Sequence, residues 1–570
     1  MPALSSIVAV GISIPVSIAF NVWYGEWRWK REAERMGARL PPRVRGRRLG
    51  NLDILRGVMD SFKSGYLADI TVEMQEQLGT IFDMHILWAN VYFTTSPDHM
   101  QAMLATQFSN FEKGAWFQKS MHSFLGVGVF NADGDMWKFH RSMARPFFSR
   151  DRITHFELFD RYANTVIAQM KSRFREGYAL DFQEIIARFT MDAATDFLFG
   201  SCLNSLEDAL PYPHFVSGRP QSPTSQFADA FLKGQDVITE RQRKGWSWPL
   251  YEMTKDATAE HAKVVRDYVD PIIKAALGRK RSVVDGISSQ NTTFADTEKG
   301  SIDDDESLLD HLLKQTSDPT LVRDETINIL LAGRDTTAAT LTFAVYFLSM
   351  YPDVMTRLRE EVLMVVGSVR MPTFDDIREM KFLRAVLNET LRLFPVVPFN
   401  IRESISATTL PSEIPGEKPI YIPARTPVMY SVWIMHRRKD LWGPDAEEFD
   451  PDRFLDDRAK KYLHPRPFIF LPFNAGPRIC LGQQFAYNEA SFMLVRLLQN
   501  FSSFVLDEKA QPPSSRPPAE WRNDPRFGEA TGVGKRTRQG MDKVWPKATL
   551  TAYSAGGLWI KGVVADQAAV

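Results

Sequence analysis

The chain has 570 residues, 44% hydrophobic and 12% aromatic, which suits one large or two medium domains with a substantial core. Its 69 Lys and Arg balance 69 Asp and Glu, so no global charge directs it to nucleic acid. Two cysteines, Cys202 and Cys480, exclude a disulfide scaffold and suit a reducing compartment.

The run from Ala3 to Tyr24 carries no charge, which predicts a single membrane-spanning helix that tolerates Pro15. Trp23, Tyr24, Trp27 and Trp29 form an interfacial aromatic belt on its exit side. Arg28, Lys30, Arg31 and Arg35 follow and place the rest of the chain in the cytosol. A cleaved signal peptide needs a basic stretch before the run and a small-residue cleavage site after it, and neither is evident. Pro41 and Pro42, within a basic stretch reaching Arg48, predict a stiff connector that also meets anionic headgroups. The expected division is an anchor over 1–27, a linker over 28–48 and one large domain over 49–570.

Helical periodicity dominates from about 135 onward, with strand-like runs near 69–73, 86–94, 419–422 and 549–563. The predicted class is mainly α with small β-sheets. Two polar stretches, 278–306 and 507–546, read as surface insertions, the second partly disordered.

Four motifs stand out in chain order. Trp137 and Arg141 are four apart and share one face of a helix bounded by Gly134 and Pro146; read alone, this is an Arg packing on a Trp. Residues 320–350 read as one long apolar helix. In its middle, Ala332-Gly333-Arg334-Asp335-Thr336-Thr337 places Gly, Asp and Thr where helix interiors tolerate them poorly. Alone, that segment reads as a locally loosened helix as readily as a site. Glu389 and Arg392 face each other three apart, a pattern shared with Glu32/Arg35 and Glu240/Arg243 that is usually a solvated bridge. The fourth is Phe473-Asn-Ala-Gly-Pro-Arg-Ile-Cys-Leu-Gly482. Gly476 and Gly482 admit close backbone approach to a flat ligand, Arg478 sets a fixed charge beside it, and backbone N–H groups can tune the Cys480 sulfur. A zinc site or a cysteine nucleophile would need further Cys or positioned His residues that the motif lacks. Cys202 reads as an ordinary buried thiol.

The fourth motif matches the haem-thiolate loop of the cytochrome P450 superfamily at Phe473, Gly476, Arg478, Cys480 and Gly482. Five fixed positions arise by chance in about one chain in 5,000 of this length. The other motifs fall in the family's order, so the chain from about 40 to 570 resembles that family. The resemblance implies the cytochrome P450 fold, with haem b held by Cys480 and by Trp137, Arg141, Arg402 and Arg478 at its propionates. It implies that Thr336 and Asp335 relay protons to bound O2, and that Glu389 and Arg392 lock with Arg453 behind the cofactor. Asp452 stands where the family often has Glu.

The continuation Gln483-Gln484-Phe485-Ala486 and the Ala332–Thr337 segment most resemble the fungal microsomal alkane and fatty-acid hydroxylase group and its relatives in wood-rotting fungi. That implies an endoplasmic reticulum membrane protein with a cytosolic catalytic domain. Its expected substrates are n-alkanes, fatty acids, alkylphenols and polycyclic aromatics. Phe117, Phe130, Ala332, Val397, Phe399 and Ala555 are its expected pocket residues. No Gly-rich dinucleotide fingerprint follows a strand, so electrons are expected from a separate NADPH-cytochrome P450 reductase, with cytochrome b5 as an optional second donor. A dedicated hydroxylase of a terpenoid or another secondary metabolite, and a haem-thiolate isomerase or dehydratase, are the competing readings.

Overall fold

A computed structural model describes residues 20–148, 156–216, 226–288, 307–527 and 537–566, which fall into two compact units. The smaller comprises the chain up to Gly114, Phe399–Met435 and Asn474–Arg478. Its main sheet runs in the order Ile81–Asp83, Tyr92–Thr94, Pro427–Ser431, Phe399–Ser404, Phe111–Glu112. The pairing is antiparallel except between Tyr92–Thr94 and Pro427–Ser431. The expected strand at 419–422 is present as Ile420–Ile422, paired with Thr408–Leu410.

Two short-run expectations are corrected here. Residues 69–73 belong to a helix, α2 (Asp69–Leu78), which follows α1 (Leu52–Ser64). The apparent alternation gives way because the buried side chains, Thr71 and Met74, are three apart, a helical spacing. In 86–94 only Tyr92–Thr94 extends as a strand, because His85, Leu87 and Trp88 take positive φ.

The expected membrane span lies almost wholly in residues 1–19, outside the described residues. No helix among the described residues is long and apolar enough to cross a membrane. Residues 20–35 are helical. The stiff connector expected over 28–48 is tied to the rest of the smaller unit. Arg39 exchanges backbone bonds with Pro419 and Tyr421, Val44 and Pro42 bond the backbone of Asp83, and Arg43 pairs with Glu26 (2.6 Å) and Asp83 (3.0 Å).

The larger unit is mainly helical. Its principal helices are α3 (Ala115–Leu125), α4 (Gly134–Ala144), α5 (Glu157–Arg175), α6 (Phe182–Phe199), α7 (Gln226–Lys244), α8 (Ala259–Ser288), α9 (Pro319–Met350), α10 (Lys381–Leu393) and α11 (Gln483–Asn500). α9 begins where Asp318 accepts the N–H groups of Thr320 and Leu321, with Pro319 in the first turn, and it ends before Pro352. It packs along α6 and is buried nearly end to end, so it forms the axis of this unit. Phe124, Phe147, Phe231, Leu312 and Leu330 join the aliphatic core around it. Strands Ala552–Ser554 and Trp559–Val564 fulfil the 549–563 expectation; the latter pairs with Phe501–Leu506 and Leu180–Asp181.

The first insertion departs from expectation. α8 continues through Ser288, so 278–306 opens as helix, and 289–306 lie outside the described residues. The described parts of 507–546 are mostly exposed or half-buried, with Ala510, Trp521, Arg538 and Asp542 buried among them. Tyr346 of α9 donates to Asp542 at 3.2 Å, and Arg538 also pairs with Asp542. Residues 528–536 lie outside the described residues.

Candidate functional site

From 324 to 348 every residue of α9 is buried except Ala332, Gly333, Asp335 and Thr336, which are half-buried. One turn of an otherwise enclosed helix is therefore open, at the segment that the sequence singled out. The helix does not loosen there. The Thr336 hydroxyl donates to the Ala332 carbonyl at 2.7 Å, the back-bond that lets threonine sit inside a helix. The Asp335 carboxylate accepts from Arg334 Nη1 at 2.9 Å and from Gln235 Nε2 of α7 at 2.8 Å.

Cys480 donates its N–H to the Phe473 carbonyl at 3.0 Å, which closes the loop tightly. Its side chain is reachable by solvent, yet the surrounding protein desolvates a thiolate and pushes the thiol pKa up. The Gly482 N–H at the sulfur and the Arg141 guanidinium work in the opposite direction. A metal cation bound at this sulfur would draw off the proton that burial retains. Cys202 forms no disulfide with it. Arg141 donates to the Ile479 carbonyl at 2.9 Å, and its guanidinium lies 5.8 Å from the ring of the buried Trp137. α4 thus brings the predicted Trp–Arg pair beside the Cys loop.

In the smaller unit, Gly476 has φ +67°, and a Cβ there would come within 1.7 Å of the Leu104 carbonyl oxygen, so only glycine fits. Arg402 is 2% exposed, donates only to the Ile401 carbonyl (2.7 Å) and forms no contact ion pair among the described residues; its buried Nε has no hydrogen-bond partner there. Burial raises the pKa of Tyr430, and the charges of Arg402 and Arg478 lower it, so two guanidiniums gather about one ring. Tyr430 donates to Asn474 at 2.7 Å. A buried, unsatisfied guanidinium of this kind fits an anionic group.

The Glu389–Arg392–Arg453 constellation is present and fully buried. Arg392 spends all five of its N–H groups: two on Glu389 (2.7 and 2.8 Å) and one each on the carbonyls of His436 (2.8 Å), Ala446 (2.5 Å) and Glu448 (3.0 Å). Glu389 also accepts the Asp450 N–H at 2.9 Å, and Arg453 Nε lies 3.5 Å away. His436 is kept neutral, its pKa pushed down to about 3 by burial and then by Arg392, and it accepts the Leu471 N–H at 2.9 Å. The network therefore reaches the strand of chain that enters the Cys loop. The look-alike pair Glu240/Arg243 is looser, at 3.7 Å.

Several residues escaped the sequence reading. Asp324, Glu325 and Asn328 on one turn of α9 accept the N–H groups of Val127 (2.9 Å), Val129 (3.0 Å) and Phe130 (3.2 Å). Glu325 also lies 2.8 Å from His140 of α4, both fully buried. Glu489 of α11 is buried, and its pKa is pushed up to about 8 by burial, with the nearby Thr337 hydroxyl working in the opposite direction. A run of acid and amide side chains inside an apolar helix was the available signal at 324–328. Nothing local marked Gln235 or Glu489.

Of the expected pocket residues, Phe130 is 38% exposed, and Ala332, Val397 and Ala555 are half-buried. Phe117 packs partly against the core of α3 and α7. Phe399, in the smaller unit, meets Phe62 edge-on at 5.8 Å.

A mainly helical body, an enclosed helix open at one turn, and an exposed thiol beside a guanidinium describe the class of haem-thiolate enzymes. The family model described as Cytochrome P450 matches residues 54–526, and the chain belongs to that family as a monooxygenase. It is 35% identical over 503 residues to Cytochrome P450 52-E3 of Starmerella bombicola, covering 87% of this chain and 92% of that protein. It is 36% identical over 499 residues to Cytochrome P450 52E2 of Candida apicola (86% and 91%). It is also 36% identical over 437 residues to Cytochrome P450 monooxygenase pvhE of Talaromyces variabilis (74% and 75%). The chain groups with these fungal relatives.

Proposed function

We propose that the protein is a membrane-bound fungal monooxygenase that hydroxylates long apolar substrates, n-alkanes and fatty acids first, with alkylphenols and polycyclic aromatics within reach. The observation that carries this reading is the open turn of α9, where Asp335 and Thr336 stand half-exposed in a helix otherwise buried from 324 to 348. Haem, when bound, supplies the activation of O2 that an unreactive C–H bond requires. Cys480 is the thiolate ligand in this reading. Trp137 and Arg141 are carboxylate partners in the larger unit, and Arg402 and Arg478 offer the same chemistry in the smaller one.

Asp335 holds a proton-accepting carboxylate fixed by Arg334 and Gln235, and the Thr336 hydroxyl lies next to it in sequence on the same open turn. An acid beside an alcohol passes protons inward while keeping bulk water out. Apolar Ala332 and Val397 and the half-exposed ring of Phe130 suit a hydrocarbon chain. Electrons come from an NADPH-cytochrome P450 reductase, and the chain sits in the endoplasmic reticulum membrane with its catalytic part in the cytosol.

The test is product analysis from microsomes that carry this chain and a matched reductase, fed an n-alkane, a medium-chain fatty acid, an alkylphenol and a polycyclic aromatic. Hydroxylated products from several of these, with oxygen at chain ends, are expected. Haem incorporation and electron flow with none of them oxidised would overturn the broad reading in favour of one dedicated substrate.

A further inference from the structure

The smaller unit carries a cavity of about 460 Å³ lined by Arg28, Trp29, Glu32, Arg35, Met36, Ala407 and Ala424. None of these residues belongs to the candidate functional site. One wall is the helix over 20–35, and its position is fixed. Ala33, Ala38 and Tyr421 form a small core with Trp29 and Leu40 packed on it, and Tyr421 donates its hydroxyl to Glu32. Arg39 pairs with Glu417 at 2.6 Å. The cavity is therefore a feature of a docked helix and not of a swinging tail.

Two guanidiniums stand against one carboxylate in its lining. Arg28 and Arg35 are both exposed at its rim; Arg28 pairs with Glu32 at 3.0 Å, whereas the Arg35 side chain makes no hydrogen bond or contact ion pair among the described residues. The cavity thus holds an excess of positive charge with donors to spare. A phosphate satisfies such donors, and in phosphatidylcholine the choline cation cancels the net negative charge that the guanidiniums attract.

A second feature of the same helix says where that phosphate comes from. Phe20, Trp23, Tyr24 and Trp27 are all exposed, between 41% and 60%. Their spacing places them on one face, and they stack in series at 5.8–6.1 Å between ring centres. Arg31 caps the stripe, 4.3 Å over Trp27. At about 100° per residue, the cavity residues 28, 32 and 35 lie roughly a quarter turn from that stripe. Exposed aromatic rings followed at once by guanidiniums are the arrangement of a membrane interface.

We propose that this cavity binds the phosphate-bearing headgroup of an anionic glycerophospholipid, with Arg28 and Arg35 as donors and Trp29 as the apolar wall. The proposal rests on the reading of the amino-terminal run as a membrane anchor. It adds a discrete lipid site to what would otherwise be diffuse attraction by the basic 28–48 segment.

The experiment purifies the full chain in mild detergent with an equal mixture of phosphatidylcholine, phosphatidylserine and phosphatidylinositol, and counts the retained lipids by mass spectrometry. The wild-type chain should keep about one anionic lipid, enriched about tenfold over phosphatidylcholine. R28Q/R35Q should lose that enrichment while keeping the wild-type carbon monoxide difference spectrum and melting temperature. R45Q/R47Q/R48Q, which removes more charge from exposed positions outside the cavity, should keep it. Unchanged enrichment in R28Q/R35Q, equal loss in the triple variant, or displacement by glycerophosphate as readily as by intact lipid would each overturn the site. The anchor is read separately by alkaline washing of the membranes: a chain that washes off but still enriches anionic lipid refutes the anchor and retains the site.

Discussion

Replacing Arg392 with Lys keeps the charge and removes the fork. All five N–H groups of Arg392 have acceptors, and neither it nor Glu389 touches solvent. A lysine ammonium has three donors on a single atom, so at least two acceptors among Glu389 and the carbonyls of His436, Ala446 and Glu448 go without. Hydrogen bonds to a charged group contribute about 1.5–3 kcal/mol each, so the expected loss is about 3–6 kcal/mol. Total stabilities run to about 5–15 kcal/mol, so R392K should fold poorly. Because the His436 ring holds the Leu471 N–H, the damage should reach the Cys loop. The assay is the urea midpoint by far-UV circular dichroism, together with the yield of the thiolate-type carbon monoxide spectrum. Lys460→Gln, which breaks the exposed pair with Asp457, should match wild type in both. An R392K chain with the wild-type midpoint and full spectral yield would refute the claim that the five-bond fork holds this region.

Further outcomes are expected. Glu489 keeps its proton to about pH 8 when folded, whereas an unfolded Glu releases it near pH 4.5. The folded state therefore binds more protons across that window, and stability falls as pH rises from about 4.5 to 8, by an amount on the order of 5 kcal/mol. Glu489→Gln should be more stable than wild type at pH 7.5 in urea melts, with a flatter pH profile; a less stable variant with the wild-type profile would contradict this. Gly476→Ala should lose about 2 kcal/mol or more and most of its spectral yield, because its Cβ meets the Leu104 carbonyl at a positive φ. Asn328→Ala should raise amide exchange across 126–131 and leave α10 protected, since Asn328 bonds both Phe130 and the Leu125 carbonyl. Thr336→Ala should keep consuming NADPH but release peroxide; tight coupling in that variant would remove Thr336 from the relay.

Where the signal lies within a short stretch, the element was legible in the sequence. The long buried helix and the Cys480 loop stood out because each is local, an apolar run and a ten-residue motif, whereas the three-residue spacing of Glu389 and Arg392 is shared with Glu32/Arg35 and Glu240/Arg243 and only the family resemblance set it apart. The structure adds partners that arrive from far along the chain. Gln235 reaches Asp335 across 100 residues, and His140 meets Glu325 from a different helix. Isolated polar residues in amphipathic helices carry no mark of what they will face. The strand reading of 69–73 failed because alternation over five residues cannot outweigh burial at helical spacing. Within 507–546, composition does not reveal that Arg538 and Asp542 turn inward and pair, with Tyr346 on Asp542.

The measurement closest to the central claim is the carbon monoxide difference spectrum of reduced microsomes that carry the wild-type chain and Cys480→Ala at matched protein levels. The wild type should give the thiolate-type band and Cys480→Ala should give none, with Arg141→Ala retaining the band at reduced yield. A thiolate-type band of wild-type intensity in Cys480→Ala would contradict the assignment of this loop as the metal-binding site.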